Sequence, residues 1–199
     1  MAGVKNHSET RCGVSRRDFL RGSGAVAAVS ALQPPRGAEA EQAGPEVVRG
    51  ERTITLHVNG QDRTVRVEPR TTLLEVLRYQ LDLTGAKPVS RDGVSGASTV
   101  LVDGKPISAS TTLALAAIGK KIETIESMAD HPVTKAFVEH DALQCGFCTP
   151  GFVMAVRAFL QQHPTATEAE IRAGLNGNIC RCGAYANIIR AALAVAKGG

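Results

Sequence analysis

The sequence predicts an α+β fold, in which a small mixed β-sheet crossed by one helix is followed by four helices. Residues 52–127 contain short segments of alternating polar and apolar residues, and two of the turns between them are Asn-Gly and Asp-Gly, which favour hairpins. Residues 128–199 instead carry longer segments whose apolar residues recur at helical spacing. A run of strands followed by a run of helices is typical of an α+β protein.

Residues 1–40 are predicted to be a twin-arginine signal peptide. A polar, basic segment contains Arg16-Arg17-Asp18-Phe19-Leu20, a weakly apolar run covers residues 22–32, and Ala38-Glu39-Ala40 follows as a small-x-small cleavage signature. The apolar run is far shorter than the ~20 residues that span a bilayer. A disordered basic terminus is the alternative. The signal predicts a periplasmic protein, and the polar residues 41–51 are predicted to be a linker.

The apparent basicity of the chain lies mostly in this leader. The whole sequence has 23 basic and 19 acidic side chains and a formal net charge of +4. Residues 1–40 contain six of the basic and three of the acidic side chains, so the remainder carries a net charge of +1. That balance provides no electrostatic footprint for binding nucleic acid or an anionic membrane surface.

The first half of the sheet domain is predicted to be a hairpin followed by a helix. Residues 53–58 alternate as a half-buried strand does, Asn59-Gly60 forms the turn, and residues 64–67 return as the second strand. Thr71 or Thr72 then caps a helix whose leucine and valine side chains make one apolar face as far as Leu81.

The second half of this domain is predicted to be a loop and three strands. Residues 85–96 are rich in Gly, Ser and Pro and form the loop, and residues 99–102 form a strand. A turn at Asp103-Gly104 leads to an edge strand at 105–108, and residues 121–125 close the sheet. We therefore assign residues 52–127 to a ββαβββ domain of grasp type.

Residues 128–199 are predicted to form a domain of four helices. The helices cover residues 132–142, 149–162, 167–172 and 184–197, and Thr167 with Glu170 gives the third helix a capping box. Short links between four amphipathic helices indicate a bundle.

Four cysteines remain once the leader, which contains Cys12, is removed. They form one Cys-x-x-Cys pair, Cys145 and Cys148, and one Cys-x-Cys pair, Cys180 and Cys182. Structural zinc, two disulfides and a [2Fe–2S] cluster are three uses for such a set. A Cys-x-Cys pair fits a zinc ribbon poorly, and disulfides between close neighbours are strained. Export by the twin-arginine route suits a protein that folds around a cofactor. The residues alone leave the three uses open.

Two motifs around these cysteines identify a family. Gln144-Cys145-Gly146-Phe147-Cys148-Thr149-Pro150-Gly151 and Asn178-Ile179-Cys180-Arg181-Cys182-Gly183 resemble the small iron–sulfur subunit of the xanthine dehydrogenase/aldehyde oxidoreductase family of molybdenum hydroxylases. This family includes the isoquinoline and carbon monoxide dehydrogenase types. The resemblance runs from about residue 54 to residue 194.

The resemblance implies a fold, a cofactor and a partner. The fold is a ferredoxin-like β-grasp domain followed by a four-helix [2Fe–2S]-binding domain, and Cys145, Cys148, Cys180 and Cys182 ligate the cluster. Gln144 and Cys182 lie against the molybdopterin cofactor, which a large partner subunit holds. Electrons leave for a FAD subunit or an external acceptor such as a cytochrome c, and this chain performs no substrate chemistry itself.

The sequence departs from the family at a second cluster site. Family members carry a plant-type cluster in the first domain with the spacing Cys-x₄-Cys-x₂-Cys…Cys. Here that spacing is kept, but serine stands at every position, namely Ser90, Ser95, Ser98 and Ser110. Because iron in these clusters requires soft thiolates, we expect no cluster there. An alternative function is a structural or assembly subunit with a degenerate ferredoxin domain and zinc or disulfides at the four cysteines.

Overall fold

Five short strands form a mixed sheet in the order β2-β1-β5-β3-β4. Strand β1 runs parallel to β5, and the other neighbouring strands are antiparallel. The computed structural model describes residue 17 and residues 49–196, and those from 49 onward belong to one compact unit. The strands are β1 (Arg52–Val58), β2 (Gln61–Val67), β3 (Thr99–Val102), β4 (Lys105–Ser108) and β5 (Lys121–Glu123).

Both predicted hairpin turns are present, and each is also tied to β5. Asn59 and Asp103 adopt φ values of 51° and 50°, and the glycines that follow them are also left-handed, as a type I′ turn requires. The Asn59 side chain accepts the Thr124 N–H at 2.9 Å, and the Asp103 carboxylate accepts the Lys121 N–H at 2.9 Å. The turn residues therefore fix the closing strand as well as their own hairpins.

The first helix, α1 (Leu73–Tyr79), begins at a capping box. The Thr72 side chain accepts the Glu75 N–H, and the Glu75 carboxylate accepts the Thr72 N–H at 2.8 Å. These hydrogen bonds from Thr72 lower the pKa of Glu75. The helix ends two residues before the predicted Leu81, because the chain turns at Asp82, whose φ is 57°.

Four more helices follow the sheet. They are α2 (Pro132–Glu139), α3 (Thr149–Gln162), α4 (Glu168–Gly174) and α5 (Tyr185–Ala196). Helix α3 has the predicted bounds, and Thr167 and Glu170 form the predicted capping box of α4. Helix α2 ends three residues earlier than predicted, near Asp141, whose φ is 49°. Two short 3₁₀ helices, Ala114–Ala117 and Ile125–Ser127, were not predicted from the sequence.

The apolar core consists of two clusters that meet at β3. One cluster joins the sheet to α1 and includes Val100 and Val102, and the other joins the helices α2 to α5 and includes Leu101. All four residues of β3 are buried, because successive side chains of a strand point to opposite faces and each face packs in one of the two clusters, with α3 against the strand on the helical side. The predicted α+β fold is confirmed, whereas the division at residue 128 stays a prediction.

One partly buried ion pair links the sheet to the helices. Arg157 on α3 donates to the Glu123 carboxylate at 2.5 Å, and the same guanidinium nitrogen lies 3.2 Å from the Met128 sulfur. Within residues 49–196 no helix is long and apolar enough to cross a membrane. The predicted leader, apart from Arg17, and most of the predicted linker lie outside the described residues.

Candidate iron–sulfur site

The two cysteine pairs lie in tight turns that each precede a helix. Cys145 and Cys148 precede α3, and Cys148 is the residue at which that helix is capped. Cys180 and Cys182 precede α5. Gly146 and Gly183 have φ values of 78° and 80°, the left-handed conformation that glycine adopts without strain. Each cysteine pair therefore has irregular backbone beside it.

Cys148 and Cys180 are brought together across the two turns. Burial, the hydrogen bond with Cys180 and the charges of Cys180 and Cys145 together raise the pKa of Cys148 to about 12. Burial also raises the pKa of Cys180, but hydrogen bonds lower this pKa by more, so it lies below its ordinary value. They come from the backbone N–H of Ala184, at 3.4 Å, from the Cys148 side chain and from the N–H groups of Cys182 and Gly183. Cys180 is therefore the more stable thiolate of the pair.

The other two cysteines lie at the surface beside this pair. Cys145 and Cys182 are exposed, and the charge of Cys145 contributes to the raised pKa of Cys148. All four thiols are free, so neither of the two disulfides considered from the sequence is formed. Within the described part of the chain, no group of three or more His, Cys, Asp or Glu side chains is gathered as a metal site. The assignment of all four cysteines as ligands therefore stays a prediction.

The donor groups nevertheless suit a [2Fe–2S] cluster. Such a cluster needs four thiolates, and backbone N–H groups around the sulfur atoms stabilise its negative charge. Cys180 already accepts N–H groups from the turn that follows it. The hydroxyl oxygen of Thr149, next to Cys148, is buried and has no hydrogen-bond partner. An unpaired buried hydroxyl beside a predicted ligand is a group that a sulfur acceptor would satisfy.

Two large apolar side chains are exposed within the cysteine motifs. Phe147 is 49% exposed, Ile179 is 50% exposed, and Gln144 is exposed beside Cys145. The Lys87 ammonium group lies 5.9 Å from the centre of the Phe147 ring. Gln144 was predicted as a site residue, whereas the exposure of Phe147 and Ile179 was not predicted, although both stand within the cysteine motifs. Large exposed apolar side chains indicate a surface that another chain covers.

The four serines of the second site bond to one another. Residues 85–98, between α1 and β3, are here called the serine loop. Within it Ser90 donates to Ser95, with 3.0 Å between the hydroxyl oxygens, and Ser98 lies 3.0 Å from Ser110. Ser108 was not predicted and joins the second pair, at 3.2 Å from Ser98 and 3.0 Å from Ser110. Since a hydroxyl both donates and accepts, the group satisfies its own hydrogen bonds.

Comparison with known protein families gives two matches. Residues 122–193 match the family described as "[2Fe-2S] binding domain", which covers most of the helical region and both cysteine pairs. Residues 13–32 match the twin-arginine translocation pathway signal sequence, which confirms the predicted export signal. The cleavage position stays a prediction.

Several known proteins are similar over most of their own length. The aldehyde oxidoreductase iron-sulfur-binding subunit PaoA of Escherichia coli K12 is 37% identical, with 94% of this chain and 90% of that protein covered. The nicotine 6-hydroxylase small subunit of Paenarthrobacter nicotinovorans is 43% identical, with 70% and 87% covered.

Solved structures show the same relationship. A chain of quinoline 2-oxidoreductase from Pseudomonas putida 86 superposes with a TM-score of 0.71 at 39% identity, covering 74% of this chain and 94% of that one. The aldehyde oxidoreductase of Desulfovibrio desulfuricans has a TM-score of 0.68 at 36% identity, but only 17% of that longer chain is covered. The chain belongs to the family of small iron–sulfur subunits of aldehyde oxidoreductase- and xanthine dehydrogenase-type molybdenum hydroxylases, which serve their complexes in electron transfer.

Proposed function

We propose that this chain binds one [2Fe–2S] cluster and conducts electrons from a molybdopterin centre in a large partner subunit to an acceptor outside the complex. The observation that carries the proposal is the contact between Cys148 and Cys180, with backbone N–H groups directed at the Cys180 sulfur. It supports the proposal because the two residues come from the two different cysteine motifs. When bound, the cluster accepts and releases one electron at a time.

Each cysteine has a distinct task in this proposal. Cys148 and Cys180 are the inner ligands, because they are shielded by the helices, and Cys145 and Cys182 are the exposed ligands. Binding requires all four thiols to lose their protons. The pKa of Cys180 is lowered and that of Cys148 is raised, so Cys180 loses its proton more readily than Cys148. The exposed side of the site, with Gln144, faces the pterin held by the partner subunit.

The serine site is proposed to hold no cluster. Its hydroxyl groups are much weaker acids than thiols, and they are already paired with one another. Electron flow therefore ends at the single cluster on this chain. The acceptor, which we propose to be a periplasmic cytochrome c or a FAD subunit, must then approach that cluster rather than the first domain.

Iron and acid-labile sulfide counts, with EPR spectra of the reduced protein, test the proposal. We expect about two irons per chain and one [2Fe–2S] signal. Cys148→Ser is expected to lose iron and signal, because an alkoxide is a poor replacement for the thiolate. The matched control is Ser110→Ala, at the fourth position of the serine site and outside the serine loop, which is expected to keep both.

Two results would count against this function. About four irons per chain, or two distinct signals, would mean that the serine site also holds a cluster. A colourless protein with stoichiometric zinc, or with its thiols oxidised to disulfides, would favour the structural or assembly subunit instead.

A further inference from the structure

The serine loop touches the segment that leads into Cys180. The Ser95 carbonyl accepts the Ile179 N–H at 3.0 Å, and the Gly96 carbonyl accepts the Asn178 side-chain amide at 3.0 Å. Asn178 is only 9% exposed, so its amide depends on this partner. Ile179 is bonded directly to Cys180. The loop therefore restrains the backbone immediately before one of the inner cysteines.

The same loop also abuts the segment that follows Cys148. A Cβ atom at Gly151, in the first turn of α3, would lie 2.2 Å from the Gly96 carbonyl oxygen. A Cβ atom at Gly96 would lie 2.4 Å from the Gly177 carbonyl oxygen and 2.5 Å from the Asn178 amide nitrogen. Neither position has room for a side chain. Gly96 therefore packs closely against both segments, namely the start of α3 after Cys148 and the turn before Cys180.

Hydrogen bonds from serine hydroxyls hold the loop in this shape. The Ser90 hydroxyl donates to the Ser95 hydroxyl and accepts the Ser95 N–H at 3.3 Å. The Ser95 hydroxyl in turn accepts the Ala97 N–H at 3.4 Å. These bonds bracket Gly96 on both sides. They orient the two carbonyl groups that reach the cysteine segments.

We propose that the serine loop is a positioning element for the iron–sulfur site in the helical region. Through the Ser95 and Gly96 carbonyls it fixes the Asn178–Ile179 backbone, and through Gly96 it sets the distance to α3. The first domain has thereby kept a role at the remaining cluster site. This inference rests on the proposed function, because it requires that the four cysteines hold a cluster.

Gly96→Ala and Asn178→Ala test this role in the complete holoprotein, purified with its partner subunit. Gly96→Ala forces the loop away from Asn178, and Asn178→Ala removes one hydrogen bond without adding bulk. Gly104→Ala is the matched control, because Gly104 has a similar φ of 76° but a Cβ atom there would meet nothing within 4 Å. Iron release from the reduced protein to a chelator is timed, and the EPR spectrum and thermal unfolding are recorded.

Both test variants are expected to release iron about tenfold faster than the wild type, as loss of a buried hydrogen bond implies. Their EPR spectra should shift, while Gly104→Ala should match the wild type in both. If Gly96→Ala does not fold, the iron release and EPR spectrum of Asn178→Ala alone test the positioning role. Wild-type release rates and spectra in Asn178→Ala, or equally fast release in Gly104→Ala, would refute the positioning role alone. A wild-type protein without iron would refute the proposed function and this role together.

Discussion

Truncating Leu101 should destabilise the protein more than its place in a short strand suggests. Leu101 lies on β3, is fully buried, and packs in the cluster of the helices rather than in that of the sheet. Leu→Ala replacements in cores cost about 3 kcal/mol or more when the surroundings cannot collapse into the cavity. The Leu101 side chain lies between its own strand, which is paired on both edges, and α3. We therefore expect little collapse into the cavity and a loss of about 3–4 kcal/mol in the free energy of unfolding.

Equilibrium urea unfolding, followed by far-UV circular dichroism, measures this loss as a lower midpoint with an unchanged slope. The matched control is Val138→Ala on α2, because Val138 is 70% exposed and its truncation should change stability by less than about 0.5 kcal/mol. A loss below about 1 kcal/mol for Leu101→Ala would refute the inference that β3 joins the two core clusters.

Two further predictions concern charged side chains. Arg157→Ala leaves the Glu123 carboxylate unpaired, and since the two side chains are 23% and 34% exposed the expected loss is about 1–2 kcal/mol, below that of a fully buried pair. Arg172→Ala, which breaks an exposed pair within α4, should lower the thermal midpoint less; equal shifts would contradict this. The pKa of Glu75 is lowered by Thr72, so its stabilisation is present above pH 4.5 and is lost as the pH falls through the lowered pKa. Thermal midpoints of Glu75→Gln should therefore depend less on pH below 4.5, and an unchanged dependence would disprove the capping contribution.

Local signals predicted most of the fold correctly. The hairpin turns follow from Asn-Gly and Asp-Gly, and the capping boxes follow from residues three positions apart. The ends of α1 and α2 were misplaced, because each helix stops two or three residues before an aspartate, Asp82 or Asp141, that takes a left-handed conformation. Leu81 and Ala142 are apolar residues beyond the observed ends, so the apolar pattern does not mark where either helix stops.

The sequence points to the residues of the site but not to their arrangement, and the four-cysteine ligand set stays a prediction. Spacing singled out the four cysteines, but the opposite pKa directions of Cys148 and Cys180 depend on backbone N–H groups that only the folded turn supplies. Ser108 was missed because its contact with Ser98 depends on the pairing of β3 with β4. That pairing sets Ser108 opposite Thr99, next to Ser98. Asn178 was identified as part of a cysteine motif, although its amide reaches a carbonyl 82 residues earlier in the chain.

The hydroxyl contacts of the serine loop also bear on its chemical durability. Cysteine thiols are oxidised to sulfenic acid and beyond, and an iron–sulfur site fails when either iron or reduced sulfur is lacking. Hydroxyl groups such as those of Ser90, Ser95 and Ser98 take no part in that chemistry. The hydrogen bonds seen in this loop therefore need no thiol, and within residues 49–196 oxidation of thiols is confined to the four cysteines of the helical region.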